Sequence, residues 1–251
     1  MKLNKHIILL GFLFIFNSVE AQRIEEKILD FHVTPVFSQI NSSSDYISPN
    51  GINVGLKIGA NVNFLLADWV GFTAGLDFTL WSGGNLLYRE GGNFLPKSKL
   101  SDPQYNQGNM PLPDNTSIRY TLNYIEFPVG LQFNLPPIDD FRIFARIPTI
   151  TTGFRNRARG TIEAGNLLLE SEKIGKDVSF FNFMWGMGLG AEFEYREKEV
   201  MAMIFLNSGL SDVTRNKGTQ VINSDGGNRV ITEDSKAALN QFGIQVAFRI
   251  R

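Results

Sequence analysis

From Ile52 onward the chain alternates. Ile52, Val54, Leu56, Ile58, Ala60, Val62 and Phe64 share one parity, while Asn53, Gly55, Lys57, Gly59, Asn61 and Asn63 share the other. Successive strand residues point to opposite faces, so this segment reads as a strand with one apolar and one polar face. After a break at 66–69 the pattern restarts: Val70, Phe72, Ala74, Leu76, Phe78 and Leu80 oppose Gly71, Thr73, Gly75, Asp77 and Thr79. Two long alternating strands around a tight turn predict a hairpin.

The unit recurs along the chain. Ile125, Phe127, Val129, Leu131 and Phe133 oppose Glu126, Pro128, Gly130 and Gln132; a 136–140 turn leads to Ile143, Ala145 and Ile147 against Arg142, Phe144 and Arg146. Phe183, Trp185, Met187, Leu189, Ala191 and Phe193 oppose Met184, Gly186, Gly188, Gly190, Glu192 and Glu194. A charged turn at 196–199 precedes a strand over 200–207 that is apolar on both parities, so its facing stays open. Phe242, Ile244, Val246, Phe248 and Ile250 form the last alternating face, and Leu29, Phe31, Val33 and Phe37 the first, opposite Asp30, His32, Thr34 and Ser38. The total is eight strands.

Their connections alternate in length. Tight turns fall near Asp68, Asp139 and Glu197; long polar segments cover 40–50, 83–117, 156–179 and 211–236, rich in Gly, Asn, Ser, Asp and Pro and without periodicity. That alternation, with strands this long, predicts an eight-stranded antiparallel up-and-down transmembrane β-barrel with short periplasmic turns and long extracellular loops. In such a barrel the apolar parity faces lipid and the polar parity fills the interior. The predicted interior charge network is Lys57, Asp77, Glu126, Arg142, Arg146, Glu192, Glu194 and Arg249. Charges of mixed sign hidden from water must pair, and eight strands enclose only enough room for side chains. The expectation is a plugged barrel, with glycines on the polar parity making room for long neighbours such as Arg146. Prolines 35, 128 and 148 each remove a ladder donor and predict local bulges. Trp69, Trp81, Tyr120, Tyr124 and Tyr195 near strand ends are candidates for interfacial girdles.

The N-terminus sets the compartment. Lys2 and Lys5 precede an apolar run from Ile7 to Phe16 and a polar stretch ending Glu20-Ala21-Gln22. This is the order of a secretory signal peptide over 1–21, cleaved between Ala21 and Gln22; the apolar run is about half the roughly 20 residues a membrane helix needs. The barrel domain is then 22–251, in the outer membrane of a Gram-negative bacterium. A net charge of −1 excludes a basic nucleic-acid binder. The lack of cysteine excludes disulfides, thiol catalysis and a lipid-anchoring cysteine.

Candidate catalytic chemistry is sparse. His32 is the one histidine of the mature chain, and Ser38 with Asp30 or Glu126 is the only triad it suggests. The Ser224-Asp225-Gly226-Gly227-Asn228 segment lacks the acidic spacing of a calcium loop and reads as a glycine-rich turn. Gly186-Met187-Gly188-Leu189-Gly190 lies within a strand and lacks nucleotide-loop spacing. No catalytic residue, cofactor or metal site is expected.

Three segments resemble the PorT-like outer-membrane β-barrel family of Bacteroidota: Asn123-Tyr124-Ile125-Glu126-Phe127-Pro128-Val129-Gly130-Leu131, the glycine-alternating stretch from Phe183 to Phe193, and Asn207-Ser208-Gly209-Leu210-Ser211-Asp212-Val213. The resemblance implies a cell-envelope barrel, and through one member it implies a link to protein secretion across the outer membrane. Residues and resemblance together predict a non-enzymatic, closed scaffold in outer-membrane lipid. Its extracellular loops would bind an external or secreted protein or assist secretion, with a monomer favoured. Two alternatives stay open: a narrow transport channel or secretion component, and a soluble periplasmic lipocalin-like binder with the apolar face inward.

Overall fold

The computed structural model describes residues 26–215, 217–224 and 227–250. The expected signal peptide, its Ala21–Gln22 cleavage site and Asp225-Gly226 lie outside them. The described strands are β1 (Glu26–Ser42), β2 (Ile47–Pro49), β3 (Asn53–Ala67), β4 (Val70–Tyr88), β5 (Gly92–Asn93), β6 (Thr116–Asn134) and β7 (Phe141–Ala164). They continue as β8 (Leu167–Lys173), β9 (Phe181–Tyr195), β10 (Lys198–Gly209), β11 (Gly218–Ser224), β12 (Gly227–Glu233) and β13 (Ala237–Ile250). Eight of these close a barrel in the order β1-β3-β4-β6-β7-β9-β10-β13, with β13 returning to β1 and every pairing antiparallel. Closure leaves no free edge in the wall.

The wall changes character partway up. Toward the tight turns, β6 directs Ile125, Phe127, Val129, Leu131 and Phe133 outward and buries Glu126, Gln132 and Asn134. Toward the long connections the same strand buries Ile118, Tyr120, Leu122 and Tyr124, and turns Arg119, Thr121 and Asn123 out. Polarity thus inverts at Tyr124–Ile125 without any change in backbone facing. On β4 and β7 the inversion is compounded by bulges. The β4–β6 register shifts between Thr79 and Ser82, where Trp81 takes a left-handed φ of 57° and its indole projects outward. The β6–β7 register shifts at Asn123–Tyr124, leaving Asn156 as the extra residue. Each bulge swaps which parity points inward.

This is why the segments 83–117, 156–179 and 211–236 looked aperiodic. Much of them is strand: β4 continues to Tyr88, β6 begins at Thr116, β7 runs for 24 residues and turns into β8, and β11 pairs with β12 and β5. With a 3-10 helix at Pro103–Gly108 they build a head over the loop end of the barrel. Its core includes Ile40, Leu86, Tyr88, Phe94, Leu100, Ile118, Tyr120, Ile162, Ile174, Val213 and Leu239. Tyr120 and Tyr124 therefore do not belong to an outer girdle. They point inward, where the Tyr88 and Tyr120 hydroxyls meet at 2.7 Å. Trp69, Trp81 and Tyr195 are exposed on the outer surface.

The facing of β10 is settled by its neighbours. Met201, Met203 and Phe205 are buried, while Ile204 and Leu206 face out. An apolar inward set fits because the strands paired with β10 offer glycine beside it, Gly243 of β13 opposite Phe205 and Gly190 and Gly188 of β9 opposite Met203 and Phe205. A Cβ on Gly243 would lie 2.6 Å from the Phe205 ring, and one on Gly190 would lie 2.5 Å from Phe144. Pro128 and Pro148 lie beside register shifts at Gly130–Gln132 and Arg146–Thr149; around Pro35 two β1–β13 pairs are missing, with the register unbroken.

Candidate functional site

The lower barrel interior holds two ionic groups. In the first, Asp30 on β1 takes a forked pair from Arg249 on β13, Nε to Oδ1 at 2.8 Å and Nη2 to Oδ2 at 3.2 Å. Arg146 Nη2 approaches Asp30 Oδ2 at 3.4 Å, and Asn63 Nδ2 donates to the same oxygen at 2.5 Å. Arg249 Nη1 also meets Glu192 Oε2 at 2.6 Å. Arg146 is held further by Gln132 Oε1 at 2.9 Å and Asn63 Oδ1 at 3.1 Å. Planar guanidinium forks suit this task, since each satisfies several acceptors on different strands.

The second group centres on Lys57 of β3. Its Nζ lies 2.7 Å from Glu126 Oε2 and 4.0 Å from Asp77 Oδ2, and it donates to Gln241 Oε1 at 3.4 Å. Asp77 also contacts His32 Nε2 at 3.2 Å, and Asn61 Nδ2 lies 3.4 Å from His32 Nδ1. The Lys57 ammonium stands 5.2 Å from the Phe205 ring centroid, a cation–π contact with the apolar side of the interior.

Of the eight residues assigned to an interior network, the structure brings Lys57, Asp77 and Glu126 together in one group and Arg146, Glu192 and Arg249 in the other. Arg142 and Glu194 do not join them. They stand where β7 and β9 approach their turns, Glu194 exposed and Arg142 partly so, lining an open pocket with Asp139, Asp140 and Glu199. At the rim water solvates a charge, so the pairing that the interior requires is not required there. Sequence reasoning left out Asp30, Asn63, Gln132 and Gln241, although all sit on inward parities. Their amides and carboxylate look unremarkable until closure brings distant strands together.

The triad suggested by His32 is not assembled. Ser38 Oγ accepts from the Gly83 N–H at 2.9 Å, far along the wall from the His32–Asp77–Asn61 contacts. Among the described residues no group of three His, Cys, Asp or Glu side chains is arranged to hold a metal ion. Beside Lys57, Asp77 and Arg146 lies a cavity of about 50 Å³, enough for one or two waters.

The head is tied together by buried carboxylates. Asp177 accepts from Lys97 N at 3.2 Å and from Ser98 Oγ at 2.5 Å, and Glu172 accepts from the Ser101 N–H at 3.1 Å and from its hydroxyl. These contacts fasten the 89–115 connection to β8 and to the segment that follows it. Above them Lys97 stands beside Lys217 and Arg215; hydrogen bonding to Lys217 and like-charge repulsion lower its ammonium below the ordinary lysine range. In β12, burial raises the Glu233 carboxyl above its ordinary value, opposed by hydrogen bonds from Ser235.

No family model and no curated protein matches the chain. Solved structures similar to it include a major outer membrane protein from Thermus thermophilus, at 10% identity and a TM-score of 0.44, covering 90% of this chain and 100% of that one. The outer membrane protease OmpT from Escherichia coli is 9% identical with a TM-score of 0.42, covering 90% and 97%. OprG from Pseudomonas aeruginosa is 10% identical with a TM-score of 0.38, covering 90% and 96%. Overlaps this loose lend the chain none of those proteins' activities. Its barrel is read from its own strand pairing.

Proposed function

We propose that this chain is a non-enzymatic outer-membrane barrel, a closed scaffold that carries a rigid extracellular head for binding a partner. One observation carries the reading: the lower wall is inside out for a protein in water. Phe31, Val33, Val54, Phe78, Phe127, Leu189, Ile204 and Phe248, from seven of the eight wall strands, are exposed, while Asp30, Lys57, Glu126 and Arg146 are buried. Exposed apolar area on this scale belongs in lipid. On β6 the outward apolar run covers about 30 Å of strand, or roughly 23 Å of membrane normal at a 40° tilt, close to the apolar band of outer-membrane barrels. A lipocalin-like binder needs the reverse facing.

The paired charges below and the apolar core above support a closed interior rather than a channel. The head then supplies the binding surface, and the Lys97, Arg215 and Lys217 cluster suits an acidic patch on the partner. The test is a gel of unboiled and boiled protein refolded into bilayers, together with conductance across planar membranes. Heat-dependent mobility without ion-selective steps is the expected result. A detergent-independent soluble protein would remove the membrane reading, and discrete conductance steps would remove the closed one.

A further inference from the structure

The outer surface is not uniform around the barrel. Where the apolar belt ends on β6, β7 and β9, five phenylalanines make one contiguous patch. Phe154 lies 5.7 Å from Phe127, 5.2 Å from Phe181 and 6.0 Å from Phe180, measured between ring centroids, and Phe181 lies 6.4 Å from Phe183. Directly beyond it, away from the tight turns, β6, β7 and the adjoining β8 carry cations. Arg157 is paired with Asn123 just past Phe154, Arg159 with Thr121 on one side and Lys173 on the other, and Arg119 sits one alternation farther along β6.

These four side chains face outward. Ile118, Tyr120, Ala158 and Gly160 occupy the inward positions between them. Arg159 donates to the Ser171 carbonyl at 2.8 Å, and none of the four has a carboxylate within ion-pair distance among the described residues. The carboxylates of β7 and β8 lie farther from the belt (Glu163, Glu170) or turn inward onto Ser101 (Glu172), and Glu126 of β6 is buried against Lys57. Like charges gathered on adjacent strands repel one another, and an anion held between them relieves that cost.

We propose that this face binds one phosphorylated glycolipid of the outer leaflet. Its phosphate is held by Arg119, Arg157, Arg159 and Lys173, and its acyl chains lie on the Phe127–Phe154–Phe181 patch. The inference rests on the membrane reading above, which sets the patch at acyl depth and the cations at headgroup depth. Guanidinium pairs match phosphate oxygens in geometry as well as charge, and Phe side chains offer apolar area without a polar atom to satisfy.

The experiment places the full-length mature protein in bilayer nanodiscs containing phosphorylated glycolipid, its enzymatically dephosphorylated form, or zwitterionic phospholipid alone. Retained lipid is counted by native mass spectrometry, and the unfolding temperature is followed in parallel. One phosphorylated glycolipid should be retained per barrel, at least about tenfold over the dephosphorylated form and over an Arg119→Gln/Arg157→Gln/Arg159→Gln variant, with a matching loss of thermal shift. Equal retention of the dephosphorylated lipid overturns the proposal without any variant. So does the same thermal shift with inorganic phosphate alone, which would mark a free-anion site. Heat-dependent mobility separates the two readings. A barrel that inserts yet retains no glycolipid sinks this inference only, whereas one that does not insert sinks both.

Discussion

Asp30 has no exposed surface and accepts at once from Arg249, Arg146 and Asn63. Exchanging it for asparagine keeps the shape and removes the charge that holds two guanidinium groups in a dry site. Breaking a buried pair from one side leaves the other charge uncompensated, a loss of about 3–5 kcal/mol. Asp30→Asn should therefore lower stability by that order in urea unfolding from bilayers, and a change under about 1 kcal/mol would mean that water reaches the arginines. The inward parity of Asp30 was legible in the sequence. Its partners were not, because Arg146 and Arg249 stand 116 and 219 residues away and meet it only when the wall closes. Arg142 and Glu194 show the converse: the same parity, but a position at the rim.

At the scale of elements, β6 explains both the success and the failure of the alternation. Its lower half obeys the lipid code and its upper half the code of a water-soluble core, so a reader expecting one code stops at Tyr124. On β4 and β7 the bulges at Trp81 and Asn156 also exchange the parities, which hides the strands on either side as loops. The β11–β12 hairpin has a titratable element of its own. Burial raises Glu233 in the fold, so the folded hairpin holds its proton more tightly than the unfolded segment does. Its docking is then strongest below the ordinary value of 4.5 and weakens as pH rises from there through the raised value. Hydrogen exchange of β11 and β12 amides, corrected for intrinsic rates, should show protection falling over that interval. A Glu233→Gln variant should show a flat profile. Protection that increases with pH in the unaltered protein would contradict the sign.

For the molecule as a whole, two cores of opposite character share one wall, an ionic one below and an apolar one above. The 89–115 connection is held to the upper core by Asp177 and Glu172, and their loss tests how far the head depends on them. An Asp177→Ala/Glu172→Ala variant should be cut by trypsin at Lys97 or Lys99 about tenfold faster, as expected where local opening exposes a buried segment. The eight-stranded wall should stay resistant. Unchanged cleavage would show that apolar packing alone fixes the connection.

Because the wall keeps its pairing for about eight residues above the polarity switch on β6, it forms a stalk. At 3.3 Å per residue and a 40° tilt that stalk has a reach of roughly 20 Å. Whatever meets its summit finds a surface already in position, and docking there need not first freeze a floppy tether.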